Sequence, residues 1–199
     1  MKVYKFGGAS VKSADGVRNL RRIVDGEENL FIIVSAMGKT TNALESVFTH
    51  MQNRRKREAA DEIKRIKEYH ASIVDDLWGG HVEIEAVNRL FGELHDIAVD
   101  TVYRAADAEL WYDTIVAYGE LISTTIISEY LEFTGIRNRW IDMRAAFVTN
   151  QRHKDAYVNI KVSEPRLKAA TENTGVGVFV GQGFIGAAPD GTTTTLGRE

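Results

Sequence analysis

An unbroken apolar run, Leu30-Phe31-Ile32-Ile33-Val34, constrains this chain more than any other feature. An amphipathic helix spaces its apolar residues at intervals of three and four, and a strand with one wet face alternates. An unbroken run of this length fits a strand covered on both faces of a parallel sheet. A parallel neighbour requires a crossover connection, and the preceding sequence contains one. Val3-Tyr4-Lys5-Phe6 reads as a strand ending at Gly7-Gly8. Val17, Leu20, Ile23 and Val24 then recur at helical spacing, with Asp15-Gly16 before them and Gly26 after. A strand–helix–strand unit of about thirty residues places the chain in the α/β class.

Helical periods dominate the middle. Leu44, Val47, Phe48 and Met51 share one face, as do Ile63, Ile66, Ile73, Val74 and Leu77. After Gly79-Gly80 the period resumes through Ile84, Val87, Leu90, Phe91, Leu94, Ile97 and Val102. A further helix is expected over about Tyr118 to Phe133, closed by Gly135. Strand signals return at Arg139-Trp140-Ile141 and at Val176-Gly177-Val178-Phe179-Val180. The expectation is one domain: a mostly parallel sheet sandwiched by helices, with a helical block at about residues 43–110. The last ten residues, from Asp190 to Glu199, read as a loop rising toward a new element, so a truncated sequence is expected.

Composition removes several classes of function. Apolar residues make up 44% and charged residues 27%, with two prolines, which is ordinary for a chain that buries a core. Twenty-five basic against 28 acidic residues leave a net charge of −3 and no general attraction to nucleic acid or anionic lipid. The absence of cysteine excludes disulfides, a thiol nucleophile and cysteine-based metal sites. The first residues have no apolar core of signal-peptide length, and no window approaches the ~20 apolar residues of a membrane span. A cytoplasmic location is the expectation.

Several short motifs have both a chemical and a bland reading. Gly7-Gly8-Ala9-Ser10, after a strand and before a helix, is placed to offer backbone N–H groups to an anion, with Lys5 adjacent; it also suits a simple strand-ending turn. Gly38-Lys39-Thr40 resembles the end of a phosphate-binding loop, but Ile33 stands where that motif needs its first glycine. What remains is a polar loop, Ser35 to Asn42, at the C-terminal end of a buried strand, where α/β proteins bind ligands. Thr41 or Asn42 could equally be only a helix N-cap. Gly181-Gln182-Gly183-Phe184-Ile185-Gly186 matches a dinucleotide fingerprint as a string, but no apolar helical period follows. It is read as a glycine-rich turn approached closely by backbone or ligand. Arg54-Arg55-Lys56-Arg57 is read as a solvated helix face with pairs such as Arg57–Asp61 and Lys64–Glu68. The five histidines show no metal-ligand spacing and no nearby second ligand type, so no metal site is expected. Glu120, at the entry to a helix, either complements the helix dipole or faces a cationic substrate group.

Taken in order, six blocks resemble the aspartokinases of the amino-acid kinase family. They are Lys5-Phe6-Gly7-Gly8-Ala9-Ser10-Val11, Val34-Ser35-Ala36-Met37-Gly38-Lys39-Thr40-Thr41-Asn42 and Tyr118-Gly119-Glu120-Leu121-Ile122-Ser123. Trp140-Ile141-Asp142-Met143-Arg144, Gln182-Gly183-Phe184-Ile185-Gly186 and Thr193-Thr194-Thr195-Leu196-Gly197-Arg198 complete the series. Ala9 stands where the family usually has threonine, and Glu199 where it usually has glycine. The resemblance implies a carbamate-kinase-like α/β fold and transfer of phosphoryl from Mg-ATP to the side-chain carboxylate of L-aspartate, the first step toward lysine, threonine and methionine. It implies that residues 1–199 are the aspartate-binding part of a kinase domain, without the nucleotide-binding part and the regulatory ACT domains, and inactive alone. Lys5 and Arg198 would be catalytic, and Lys5, Gly7, Gly8, Ala9 and Ser10 would face the ATP phosphates. Ser35, Thr41, Glu120 and Arg198 would bind aspartate. The longer protein is expected to be a homo-oligomer. The alternatives are a glutamate or acetylglutamate kinase, or a non-catalytic ligand-binding or dimerisation piece.

Overall fold

The apolar run does become an interior strand. In the computed structural model, which describes residues 1–197, β2 (Leu30–Val34) lies between β1 (Lys2–Phe6) and β4 (Val178–Gln182), and β3 (Arg139–Ile141) adds to the far side of β4. All three pairings are parallel, with Lys5 opposite Ile33 and Val34 opposite Gln182. Alternate residues of β2 serve opposite faces, as the pleat requires. Leu30, Ile32 and Val34 enter the larger core with Val178 and Val180, whereas Phe31 stacks on Phe179 in a smaller cluster with Ile141 and Met143.

Helix α1 (Ala14–Val24) makes the crossover and buries Val17, Leu20 and Val24. Ser13 caps it, its side chain accepting from the Gly16 N–H. The helical block is present as α2 (Thr40–Gln52), α3 (Lys56–Trp78) and α4 (Glu85–His95), and α5 (Ala108–Val116) carries it past its expected end near 110. Gly79 ends α3 in the left-handed region. One part of the expected period does not hold. After His95 the chain forms a π-turn over Asp96–Asp100, and Val102 is 79% exposed instead of packed. Lys64 pairs with Glu68 at 3.8 Å, but Arg57–Asp61 is absent among the ion pairs of the described residues; Arg54 to Arg57 are exposed.

Helix α6 (Tyr118–Phe133) matches its expected span and is buried along most of its length. Three elements differ from the sequence reading. Helix α7 (Met143–Ala146) is a single turn capped by Asp142. Helix α8 (Ile160–Thr171) contains Pro165, which reads as a helix break, and among its residues only Ser163 is fully buried, so its apolar period is faint. The final stretch does not remain a loop. After a turn at Asp190-Gly191, β6 (Thr193–Thr195) pairs antiparallel with β5 (Ile185–Ala187).

His70 shows how tightly the helical block is closed. It is fully buried on α3, its ring 5.9 Å from that of Phe91, and its Nδ1 is 2.7 Å from the Ile66 carbonyl. Burial pushes its pKa down from 6.5 to about 4. The folded pKa lies below the unfolded one, so the stabilisation from a neutral His70 is complete above pH 6.5 and falls away as the pH drops toward 4. Denaturant titrations should show the wild type losing about 2 kcal/mol more than His70→Leu between neutral pH and pH ~5. Parallel pH profiles for the two proteins would remove His70 as a source of acid sensitivity.

Candidate functional site

A cavity of about 450 Å³ opens at the C-terminal ends of β1, β2 and β4. Lys5, Ser35, Thr41 and Glu120 all line it, although 115 positions separate the first from the last. Ile33, Gly183, Phe184, Leu196 and Gly197 complete its wall. Parallel strands explain the convergence. Their C-terminal ends lie at one edge of the sheet, so the loops that follow them meet there.

Each polar residue is delivered by a local structural necessity. Lys5 is the penultimate residue of β1. Ser35 directly follows β2, held by its N–H donating to the Phe6 carbonyl at 3.1 Å. Thr41 sits in the first turn of α2. That helix starts at Thr40 with Lys39 as its cap residue and no side-chain cap bond, so neither Thr41 nor Asn42 is the N-cap; the Thr40 hydroxyl donates back to the Met37 carbonyl at 2.6 Å.

Glu120 is 3% exposed, and its Oε1 accepts from the Ala36 N–H at 3.1 Å. The Ser123 hydroxyl donates to the Ser35 carbonyl at 3.0 Å, one turn further along α6. These two bonds seat the start of α6 on the loop after β2. Gly119 makes the approach possible, because a side-chain carbon there would lie 2.8 Å from Ala36 Cβ and 3.3 Å from Leu44 Cδ1. Tyr118, just before it, is pushed up to about 12, first by burial and then by the nearby Glu93 carboxylate. It therefore stays protonated at neutral pH and donates to Glu93 Oε2 at 3.4 Å.

The Gly7–Ser10 segment is a close-packed strand-ending turn. Gly8 is packed backbone to backbone, since a Cβ would meet the Ala36 carbonyl oxygen at 2.4 Å. Ser10 and Val11 give their N–H groups to the carbonyls of Gly7 and Gly8. Among the described residues, the N–H groups of Gly7 and Gly8 have no acceptor. None of Gly7, Gly8, Ala9 and Ser10 lines the cavity, and Ala9 and Ser10 are exposed. Arg198 lies outside the described residues.

A profile of the amino acid kinase family matches residues 1–198. The chain belongs to the amino acid kinase family. It is 30% identical over 198 residues to the lysine-sensitive aspartokinase 3 of Escherichia coli, covering 98% of this chain and 43% of that protein. An aspartokinase of Chlamydia trachomatis is also 30% identical, over 98% of this chain and 42% of its own length. The crystal structure of E. coli aspartokinase III in complex with aspartate and ADP superposes with a TM-score of 0.81 at 27% identity, over all of this chain and 44% of that one. The chain thus spans less than half the length of the relatives it matches.

Within this amino acid kinase fold, some residues acquire roles that their strings did not announce. The strand–turn–strand course of residues 182–187 rules against the dinucleotide reading, because among the described residues no helix follows Gly186. Gln182 is fully buried instead, with Oε1 accepting from the Met143 N–H at 2.8 Å and Nε2 donating to Thr124 Oγ1 at 2.8 Å. Phe184, in the cavity wall, is a non-glycine residue at φ 65°, inside a three-residue turn closed by the Ile185 N–H and the Gly183 carbonyl at 2.7 Å. Nothing in the string distinguishes it from an ordinary core aromatic. Sequence spacing also missed the acidic neighbours of three histidines. His153 Nδ1 is 2.9 Å from Asp113, His81 is 3.3 Å from Asp75, and ligand atoms of His95, Asp96 and Asp100 lie within 4.8 Å of one another. None of these groups lines the cavity.

Gly119→Ala should lower stability by about 1–3 kcal/mol, because the new methyl overlaps that of Ala36. Adding Ala36→Gly to that variant should recover part of the loss. Thermal melts of the two single variants and the double variant test this, and an undiminished melting temperature for Gly119→Ala would show that α6 can shift without strain.

Proposed function

We propose that this chain carries the amino-acid side of an aspartate kinase site, which transfers the γ-phosphoryl group of ATP to the side-chain carboxylate of L-aspartate. One observation carries the reading. Lys5, Ser35, Thr41 and Glu120 line a single cavity in a chain similar to aspartokinases along its whole length. A solved relative with the same fold was crystallised with aspartate and ADP.

The chemistry needs little from a protein beyond charge and position. A carboxylate is already ionised at neutral pH, so it requires no general base. One of its oxygens forms a bond to the γ-phosphorus as the bond to the bridging oxygen of ADP breaks. The barrier lies in bringing an anion to a polyanion, and it is lowered by alignment and charge neutralisation. Lys5 supplies a cation at the end of β1, and Gly7 and Gly8 supply N–H donors beside it. Glu120 takes the substrate ammonium, Ser35 and Thr41 line the pocket for the amino acid, and Arg198 is assigned to its α-carboxylate. The requirement for a cationic nitrogen opposes acetylglutamate, whose acylated nitrogen is neutral.

Glu120 is the one carboxylate among the described cavity-lining residues, and it holds the Ala36 N–H. That donor set fits an ammonium better than Mg²⁺, so the metal belongs with the nucleotide phosphates and supplies charge neutralisation there. A cytoplasmic location and a homo-oligomeric longer protein are part of the same reading. So is the inactivity of this stretch alone, with aspartate bound but not phosphorylated.

Two measurements test the reading. Glu120→Gln should weaken L-aspartate binding, followed by calorimetry, by roughly ten- to a hundred-fold, the equivalent of about 1.5–3 kcal/mol for a lost charge-assisted contact. Glutamine keeps a carbonyl oxygen for the Ala36 N–H, so the melting temperature should hold. A lowered melting temperature with unaltered affinity would return Glu120 to a helix-dipole role. Incubated with Mg-ATP and L-aspartate, the 199-residue chain should yield no aspartyl phosphate trapped as the hydroxamate. Turnover at the rate of a full-length aspartokinase would overturn the inactivity.

A further inference from the structure

Two adjacent residues of α5, Tyr112 and Asp113, bind two different segments that each carry cavity-lining residues. Asp113 is fully buried, 0% exposed, and its carboxylate accepts from the Lys154 N–H at 2.9 and 3.1 Å and from the Thr195 hydroxyl at 2.6 Å. His153 Nδ1 stands 2.9 Å away. A buried carboxylate persists where donors replace the water it has lost. Here the donors come from two segments remote from α5, the loop at residues 150–156 and β6. These segments are also bound to each other, through the Ala156 N–H and the Thr195 carbonyl at 2.9 Å.

The residues directly after Thr195 form cavity wall. Leu196 donates its N–H to the Phe184 carbonyl at 2.8 Å, and Leu196, Gly197 and Phe184 all face the cavity. Gly197, at φ 82°, lies against the 150–156 loop so closely that a Cβ would sit 3.2 Å from Asp155 Oδ1. Tyr112 acts on the other side. Its hydroxyl donates to Glu45 Oε1 at 2.7 Å, and Glu45 is one helical turn beyond Thr41 on α2. The Lys154 ammonium lies 4.6 Å over the Tyr112 ring, which ties the two arms together.

We propose that α5 is a clamp that sets the width of the cavity, with Asp113 as the positioning residue that holds the Leu196-Gly197 wall against the bound amino acid. Hydrogen bonds of fixed direction do this where apolar contact would let the wall slide. The ligand named here rests on the aspartate reading above, whereas the clamp itself does not.

The test compares wild type, Thr195→Val and Asp113→Asn by amide hydrogen exchange and by calorimetric titration with L-aspartate. Thr195→Val keeps the side-chain shape and removes one donor. Both variants should raise exchange at Leu196 and Gly197 by about tenfold or more and weaken L-aspartate binding by a similar factor, with the amides of β2 unchanged. A purely structural Asp113 predicts a uniform rise in exchange and an unaltered affinity. Unchanged exchange at Leu196 and Gly197 in Thr195→Val, or a rise shared equally by β2, overturns the clamp. Should Asp113→Asn fail to fold, Thr195→Val decides alone. Should the wild type take up no L-aspartate, the substrate reading fails and the exchange comparison still decides the clamp.

Discussion

The seating of α6 on the loop after β2 is the contact on which the rest of the cavity depends. Two hydrogen bonds define it, from the Ala36 N–H to Glu120 and from the Ser123 hydroxyl to the Ser35 carbonyl. The first is buried and the second partly so, and a buried polar group left without its partner would cost more than the bond itself contributes in water. Gly119 permits the close approach, and the largely buried α6 maintains it along its length. Once α6 is in place, a carboxylate faces the end of the sheet, beside Ser35 after β2 and Thr41 at the start of α2.

The opposite wall is made by other means. Strand β6 belongs to a two-stranded ribbon, which on its own would be marginal in water. It is held by hydroxyl contacts: Thr194 with Thr149 at 2.7 Å and Thr195 with Asp113 at 2.6 Å. A buried threonine-rich strand is an unusual way to line a core, and it works because each hydroxyl named here meets a polar partner. One side of the cavity thus rests on a helix fixed to the main sheet, and the other on a ribbon held by threonine hydroxyls and by backbone bonds to the 147–156 segment. That asymmetry matches what a site must do when a ligand enters between a rigid floor and a positioned wall.

Much of the fold was legible because periodicity reports burial directly. The unbroken run of Leu30–Val34 marked an interior parallel strand, and the three-and-four spacing of Val17, Leu20 and Val24 marked the crossover helix. The reading failed where burial and periodicity part company. Helix α8 packs few of its residues and contains Pro165, so nothing in its pattern separates it from a loop. Val102 looks like one more apolar residue in register, but the π-turn at Asp96–Asp100 shifts the phase and leaves it in solvent. The threonines of β6 carry no apolar signal at all, so the string of a buried strand reads as a loop.

Lys5, Ser35, Thr41 and Glu120 could be chosen as site residues from sequence, because they lie in strings with a recognisable order, the first two at strand ends and the other two at helix starts. Their meeting around one cavity was decided by the parallel sheet, which brings the ends of β1, β2 and β4 to one edge whatever their separation along the chain. Asp113 was not legible. A lone aspartate amid Trp111, Tyr112 and Ile115 gives no hint that its partners lie 40 and 82 positions away. The sequence by itself determined the helices and strands whose apolar residues are periodic or continuous, and which polar residues stand beside their ends, because those properties depend on neighbours a few residues apart. Only the tertiary structure decided that α6 could close on the Ser35-Ala36 loop and that one buried carboxylate would tie α5 to β6. Hydrogen bonds between distant segments exist only after the sheet has brought those segments within about 3 Å of each other.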